Sequence, residues 1–139
     1  MTRAVSSPVE ASVLAANQAF YDAFAARDLG AMEQLWAREH VVACIHPGWA
    51  PLHGNDAVMG SWRAILGSPD SPNVRCSGAT ALVFGETAFV TCVEELRDGR
   101  LAATNVFAFE RGEWRLVHHH AGPMATRAES RRPPASPLN

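Results

Sequence analysis

The sequence predicts an α+β domain in which N-terminal helices pack on a mostly antiparallel sheet. In the first half of the chain, apolar residues recur at three- and four-residue steps, as on the buried face of an amphipathic helix. The second half changes to strand-like runs separated by short turn signals. Because helices come first and strands follow, without β-α-β alternation, an α+β fold is favoured over a parallel α/β sheet.

Three helices are predicted from this periodicity. The first covers residues 9–27, where polar side chains separate the apolar ones. Asp28 is a suitable N-cap for a second, shorter helix. A third helix is expected to begin at Asn55 or Asp56 and to end near Gly67, because a proline follows two residues later.

Five strands are predicted. The first covers residues 41–45, a β-branched apolar run, and it leads into residues 46–54, which two prolines and two glycines should make a rigid irregular loop. Short hairpin signals separate the other four strands, which should therefore form an antiparallel meander. These strands cover residues 74–84, 87–96, 101–110 and 113–120.

The 139 residues suit one domain, which we expect to span residues 9–124. Residues 1–8 are expected to be a flexible N-terminus. Residues 125–139 are rich in proline and arginine and carry few apolar side chains, so we expect a disordered tail there.

The charged residues narrow the function. The formal net charge is -2, and all 12 basic residues are arginine. The absence of lysine excludes a lysine Schiff base and a Walker-type phosphate loop. Because the arginines are scattered along the chain, they give no electrostatic footprint for nucleic acid or for an anionic membrane. A small molecule or a second copy of the chain is the expected partner.

The three cysteines, Cys44, Cys76 and Cys92, cannot all pair within one chain and show no C-x-x-C spacing. Reduced thiols are therefore expected. No apolar run has the length of a secretory signal or of a membrane span. These observations favour a cytoplasmic protein.

Several motifs carry a resemblance to a known superfamily. Residues 17–29 resemble the turn between the first two helices of nuclear transport factor 2-like proteins. Residues 43–47, Ser61-Trp62 and residues 112–120 look like the SnoaL-like branch, and they are also similar to the association domain of calcium/calmodulin-dependent protein kinase II. The resemblance covers residues 10–124. It implies a cystatin-like cone, in which the helices pack on a strongly curved sheet that encloses an apolar ligand pocket.

The ketosteroid isomerases are a further branch with a defined set of pocket residues. Their general base, an aspartate followed by proline, matches His46. Their second oxyanion donor matches Asn105, and their tyrosine donor falls on Phe20, with Tyr21 one position away. The missing tyrosine argues against ketosteroid isomerase activity itself, whereas a base and a donor are retained.

His46 and Asn105 are therefore the candidate catalytic residues. A neutral imidazole at the end of a strand can act as a base near neutral pH, although His46 could instead cap carbonyl groups of the loop. Asn105 lies on an apolar strand face and needs a partner, which could be a ligand oxygen, His119, another side chain or water.

Strand alternation sends His119 to one face and His118 and His120 to the other. A bulge at Gly112 would place His119 on the Asn105 side, facing the pocket, with the other two nearer a subunit contact. A zinc site at His118 and His120 lacks a third ligand placed by spacing, so we predict no metal.

Glu94 shares a strand face with apolar residues. It is either a pocket carboxyl with a raised pKa or the partner of Arg63 or Arg115, and the salt bridge is the favoured interpretation. Core packing is the default for the aromatic candidates, and Trp49, in the loop beside His46, is the best placed to touch a ligand. The full set of candidate ligand-binding residues is Tyr21, Trp36, Trp49, Trp62, Cys92, Glu94, Phe107 and His119.

The resemblance implies a protein that binds a small, largely apolar ligand in the cone. If it is an enzyme, we expect cofactor-free acid/base chemistry of an isomerase, dehydratase or cyclase, with His46 as base. The alternative is a non-catalytic oligomerisation or ligand-sensing module like the kinase association domain. A homodimer formed through the convex face of the sheet is expected under either hypothesis.

Overall fold

The computed structural model describes residues 7–125, in which three helices pack on one six-stranded sheet. The predicted N-terminal residues 1–6 and tail residues 126–139 lie outside this range. The elements in chain order are α1 (Pro8–Ala26), α2 (Leu29–Leu35), β1 (Ala43–Ile45), β2 (Leu52–His53), α3 (Asn55–Gly67), β3 (Arg75–Phe84), β4 (Thr87–Leu96), β5 (Gly99–Glu110) and β6 (Glu113–Pro123).

Side-chain capping fixes the starts of α1 and α2. The Ser7 side chain accepts a hydrogen bond from the Glu10 backbone N–H, and the Glu10 carboxylate accepts one from the Ser7 N–H. This capping box begins α1 at Pro8, so residues 7 and 8 are part of the helix start and not of a flexible terminus. The Asp28 side chain caps α2 through the Ala31 N–H, as predicted.

The strand order is β2-β1-β6-β5-β4-β3, and β1 pairs with β6 in parallel whereas the other pairs are antiparallel. The predicted four-strand meander is therefore extended by two short strands. β2 lies inside the loop predicted to be irregular. β1 begins at Ala43 and not at residue 41, because Val41 is 85% exposed and lies outside the sheet.

Two register shifts bend the sheet. One falls between Ser77 and Thr80 in β3, and the other leaves Val117 of β6 without a partner on β5. The prediction of a bulge at Gly112 was wrong. Arg111 and Gly112 both have positive φ and form a tight hairpin turn. The bulge at Val117 nevertheless pairs His119 with Asn105 on the inner face.

The helices cover the inner face of the sheet and bury one apolar core. The largest side chains that are less than 2% exposed there include Trp36, Trp62, Phe20, Phe107, Met32 and Leu116. Near Trp36, these core side chains fill the space between the helices and the inner face of the sheet. Trp36 forms an isolated β-bridge with Leu116 of β6. A cavity remains toward the β4–β5 hairpin.

Candidate functional site

The cavity has a volume of about 290 Å³. Taking about 30 Å³ per water in the liquid, it holds about ten non-hydrogen atoms. Its lining residues are Phe24, His46, Pro47, Trp49, Ile65, Pro72, Val74, Glu94, Leu96, Leu101 and His119. Three of them are titratable, namely His46, Glu94 and His119, and all three are at most 3% exposed. The others are apolar, and no arginine of residues 7–125 lines this cavity.

His46 follows β1 directly. Its ring packs edge-to-face against Trp49 and Trp62, whose ring centroids lie 4.9 and 4.8 Å from its own. Its Nε2 lies 2.8 Å from Ser61 Oγ. Because the Ser61 hydroxyl donates its own proton to the Val58 carbonyl at 2.6 Å, it accepts the hydrogen bond from Nε2–H. Nδ1 of the neutral ring therefore carries the electron pair, and Cys44 Sγ lies 4.0 Å from it. Burial lowers the pKa of His46 to about 4, so the neutral form prevails at pH 7.

His119 on β6 is held by a buried amide. Its Nδ1 lies 2.5 Å from Asn105 Oδ1, and the Asn105 Nδ2 group donates to Asn17 Oδ1 at 2.9 Å and to the Tyr21 hydroxyl at 3.1 Å. These bonds orient the amide, so His119 donates through Nδ1 and keeps an electron pair on Nε2. Burial, with a smaller effect of His46, lowers the pKa of His119 to about 3.

Glu94 faces the interior of the cone. The Tyr21 hydroxyl donates to its Oε2 at 2.7 Å, and His119 Nε2 lies 3.8 Å from the same oxygen. Burial raises the pKa of Glu94, and the hydrogen bond from Tyr21 opposes the shift in part. The cavity therefore combines two imidazoles whose environment favours the neutral base with a carboxyl whose environment favours the protonated acid.

The prediction that Glu94 forms a salt bridge with Arg63 or Arg115 was wrong. Arg115 instead pairs with Glu113 at 2.6 Å and lies 3.8 Å from Glu110. The reason is strand alternation, because it turns the Glu94 side chain inward, where it is 2% exposed.

Four candidates from the sequence, His46, Trp49, Glu94 and His119, line the cavity. Asn105 does not, and both of its N–H groups are already donated to protein oxygens, so no free N–H remains for a ligand oxyanion. The other five candidates do not line it either. Tyr21, Cys92 and Trp62 lie behind its wall, and Trp36 and Phe107 belong to the core.

Two polar residues that the sequence interpretation missed complete the site. Asn17 holds the amide of Asn105, and Ser61 fixes the His46 tautomer. Asn17 could have been found as a polar side chain on the apolar face of α1, one turn before Tyr21. The missed apolar lining residues carry no sequence signal that separates them from the core, and they are Phe24, Pro47, Ile65, Pro72, Val74, Leu96 and Leu101.

The outer face carries the other two histidines of β6. His118 is half-buried and its Nδ1 lies 3.0 Å from the Ala43 carbonyl, whereas His120 is exposed. Within residues 7–125, no group of three or more histidine, cysteine, aspartate or glutamate side chains could hold a metal ion. No helix of this range is long and apolar enough to cross a membrane.

Several solved structures are similar to this fold. A proposed dehydratase of the nuclear transport factor 2-like family from Streptomyces avermitilis has a TM-score of 0.79 and 31% identity, covering 85% of this chain and 97% of that one. A proposed calcium/calmodulin-dependent protein kinase type II association domain from Thiobacillus denitrificans has a TM-score of 0.72 and 33% identity, covering 89% and 100%. A cystatin-like fold protein from Caulobacter vibrioides shares the fold alone, with a TM-score of 0.74 and 14% identity over 88% and 94%.

The F-box protein SKIP8 of Arabidopsis thaliana is 29% identical over 115 residues, which are 81% of this chain. The chain spans about half the length of that curated relative, with 50% covered. The SnoaL-like domain matches residues 13–126, which is most of the sequence. The helices on a bent, mostly antiparallel sheet are therefore those of the cystatin-like fold, and the chain belongs to the SnoaL-like domain family.

Proposed function

We propose that this SnoaL-like protein is a cofactor-free acid/base enzyme that dehydrates a small, uncharged β-hydroxy carbonyl compound. One observation carries the proposal: a single apolar cavity brings together neutral imidazoles and a carboxyl of raised pKa. Base and acid in opposite protonation states are what an elimination of water needs. The 31% identity to a proposed dehydratase of the same fold supports this reaction class.

The roles follow from the hydrogen bonds. His46 Nδ1 removes the proton from the carbon next to the carbonyl, while Ser61 holds the ring through Nε2. The C–H electrons form the double bond, the C–O bond breaks, and the Glu94 carboxyl gives its proton to the departing hydroxyl as water. The Tyr21 hydroxyl, which donates to Glu94 Oε2 at 2.7 Å, stabilises the carboxylate as it forms, and the proton on His46 returns to Glu94 through solvent.

The lining residues support an uncharged ligand. No lysine or arginine in the described part of the chain lines the cavity, so a carboxylate or phosphate would be buried there without a charged partner from those residues. The volume of about 290 Å³ and the apolar walls suit a ring with a short chain.

The test uses the aldol adduct of benzaldehyde and acetone, a neutral β-hydroxy ketone whose product, benzylideneacetone, absorbs strongly. We expect His46→Gln and Glu94→Gln each to lower kcat/KM by about a hundredfold or more, because each removes a proton-transfer group. His118→Gln is the matched control, since this histidine lies on the outer face. Unchanged turnover by His46→Gln would refute its role as base.

The alternative, a ligand-sensing module without chemistry, predicts a different result. Such a protein would bind the adduct, shown by a rise in Tm, and would form no enone above the rate of the His46→Gln variant. The open cavity supports ligand binding under either hypothesis, whereas its acid and base groups favour catalysis.

We also propose that a second copy of the chain covers the outer face of the sheet. Leu82, Phe89 and Val106 form one cross-strand row there, and Leu82 and nearby Phe84 are 45% and 58% exposed. Apolar side chains exposed side by side on a sheet are typical of an interface. We expect light scattering to give the mass of a dimer and Val106→Lys to give a monomer, with Glu86→Lys, outside this row, as control.

A further inference from the structure

The outer face of β6 carries two histidines at alternate positions of the strand. His118 and His120 are two residues apart, so both side chains point away from the cavity. Their ring centroids lie 6.2 Å apart. At the positions paired with them, no carboxylate competes for the imidazoles. These paired residues are Val106 and Thr104 of β5 and Ala43 and Ile45 of β1.

The hydrogen bond of His118 determines which of its ring nitrogens is free. Its Nδ1 lies 3.0 Å from the Ala43 carbonyl oxygen. A carbonyl oxygen can only accept, so Nδ1 carries the proton of the neutral ring and Nε2 carries the electron pair. Among residues 7–125, no hydrogen bond or ion pair occupies Nε2 of His118 or either ring nitrogen of His120. Metal-binding histidines are often oriented in this way, by a backbone carbonyl that holds the other ring nitrogen.

We propose that His118 and His120 form a bidentate site for one divalent late transition-metal cation, with water at its remaining coordination positions. Imidazole nitrogen is a ligand that Ni²⁺, Cu²⁺ and Zn²⁺ accept. At a metal–nitrogen distance of about 2.1 Å, two rings at neighbouring coordination positions have centroids about 5 Å apart. The observed 6.2 Å is longer by about 1 Å, a difference that rotation of the exposed His120 side chain removes.

A site of two protein ligands agrees with the rest of the chain. Spacing along the sequence offers no third ligand, and no suitable group of three or more histidine, cysteine, aspartate or glutamate side chains lies together within residues 7–125. Affinity should follow the usual order at nitrogen ligands, with Cu²⁺ bound more tightly than Ni²⁺ or Zn²⁺. Neither the cavity nor a second copy of the chain supplies a ligand, so the site is independent of the catalytic proposal and of the dimer.

The experiment titrates the untagged full chain with nickel chloride at neutral pH and follows the heat of binding by calorimetry. Ni²⁺ is the probe because Cu²⁺ oxidises thiols, of which the chain has three. We expect one Ni²⁺ per chain. His118→Gln and His120→Gln should each lower the affinity by about a hundredfold, because the second imidazole binds intramolecularly once the first is bound.

A matched control keeps the number of histidines and changes only their spacing. The double variant His120→Gln/Gly122→His moves one histidine along the same face, so that the two ligands lie four residues or about 13 Å apart. A Cβ added at Gly122 meets no atom within 4 Å, so this variant should fold. We expect it to bind Ni²⁺ as weakly as His120→Gln does. His53→Gln leaves the pair intact and should bind as the wild type does.

Three results would overturn the proposal. They are unchanged affinity in His120→Gln, wild-type affinity in the double variant, and a ratio of one Ni²⁺ to two chains, which would mean a cation shared between copies. Thermal unfolding of each variant without metal shows whether it is folded. If His118→Gln does not fold, the two variants at the exposed His120 still decide the outcome.

Discussion

The inner and outer faces of β6 give the same side chain opposite environments. On the inner face, His119 is 1% exposed, donates to Asn105 and keeps a free Nε2 near Glu94. On the outer face, His118 contacts a backbone carbonyl and His120 is exposed. The chemistry of a histidine here depends on the face on which it lies, and the extra residue at Val117 sets that face.

Inserting one alanine between His118 and His119 is the most severe way to break this difference between the faces. Strand alternation then turns the residues after the insertion to the opposite face, which brings His120 inward and expels His119. We expect a loss of about 5 kcal/mol or more, enough to unfold a domain of ordinary stability. Thermal unfolding followed by circular dichroism measures it. Val117→Ala leaves the order of the faces unchanged and should remain folded, and a cooperative wild-type-like melt of the insertion variant would contradict the argument.

Asn105→Ala tests how strongly the inner face depends on its polar partners. The change leaves Asn17, Tyr21 and His119 each without one hydrogen bond in a buried site. We expect a loss of about 3–5 kcal/mol in urea unfolding, because unsatisfied buried groups are costly. Thr104→Ala, on the outer face, is the control and should change stability by about 0.5 kcal/mol or less.

The pH dependence of stability tests whether the buried histidines are neutral in the folded protein. Between pH 6.5, the ordinary pKa, and about 4, the unfolded chain binds a proton at His46 that the folded chain does not. Stability should therefore fall as the pH is lowered through this window, by about 3 kcal/mol for His46. His46→Gln should flatten the profile by that amount and His120→Gln should not. An equally steep profile for His46→Gln would show that its imidazole is not held neutral.

Glu94→Gln should give the smallest change in the free energy of unfolding, and this change should be an increase. Burial favours the protonated carboxyl, so the wild-type protein loses stability as rising pH ionises Glu94. A glutamine can still accept the Tyr21 hydrogen bond without that penalty. We expect its free energy of unfolding to exceed that of the wild type at pH 8 and to approach it at pH 4. A loss of stability at pH 8 would indicate that the carboxylate is stabilised in the folded state.

The helices and the meander could be predicted because their signals are local. Asp28 caps α2 and Asn55 begins α3, as periodicity and capping chemistry indicate. The two-residue β2 and the parallel pairing of β1 with β6 could not, since they depend on contacts between distant segments. The position of the second bulge was also hidden, because a valine carries no bulge signal.

Part of the site could also be predicted, because some of its residues carry local sequence signals. His46 and His119 were identified from a strand end and from alternation, and both line the cavity. The role of Asn105 could not be read from the sequence, because its N–H groups are taken by residues 88 and 84 positions away. Asn105 therefore orients His119 and does not line the cavity.

The short strand β1 has a consequence for the dynamics of the cavity. It is three residues long and pairs Cys44 with His119, so this strand alone ties the His46 loop to β6. A segment with so few backbone hydrogen bonds opens at a lower free energy than the long central strands. Local opening of β1 would separate His46 from His119 while β4 and β5 stay paired. Amides of residues 43–46 should therefore exchange hydrogen faster than those of β5, and the cavity wall that carries His46 should open before the central strands do.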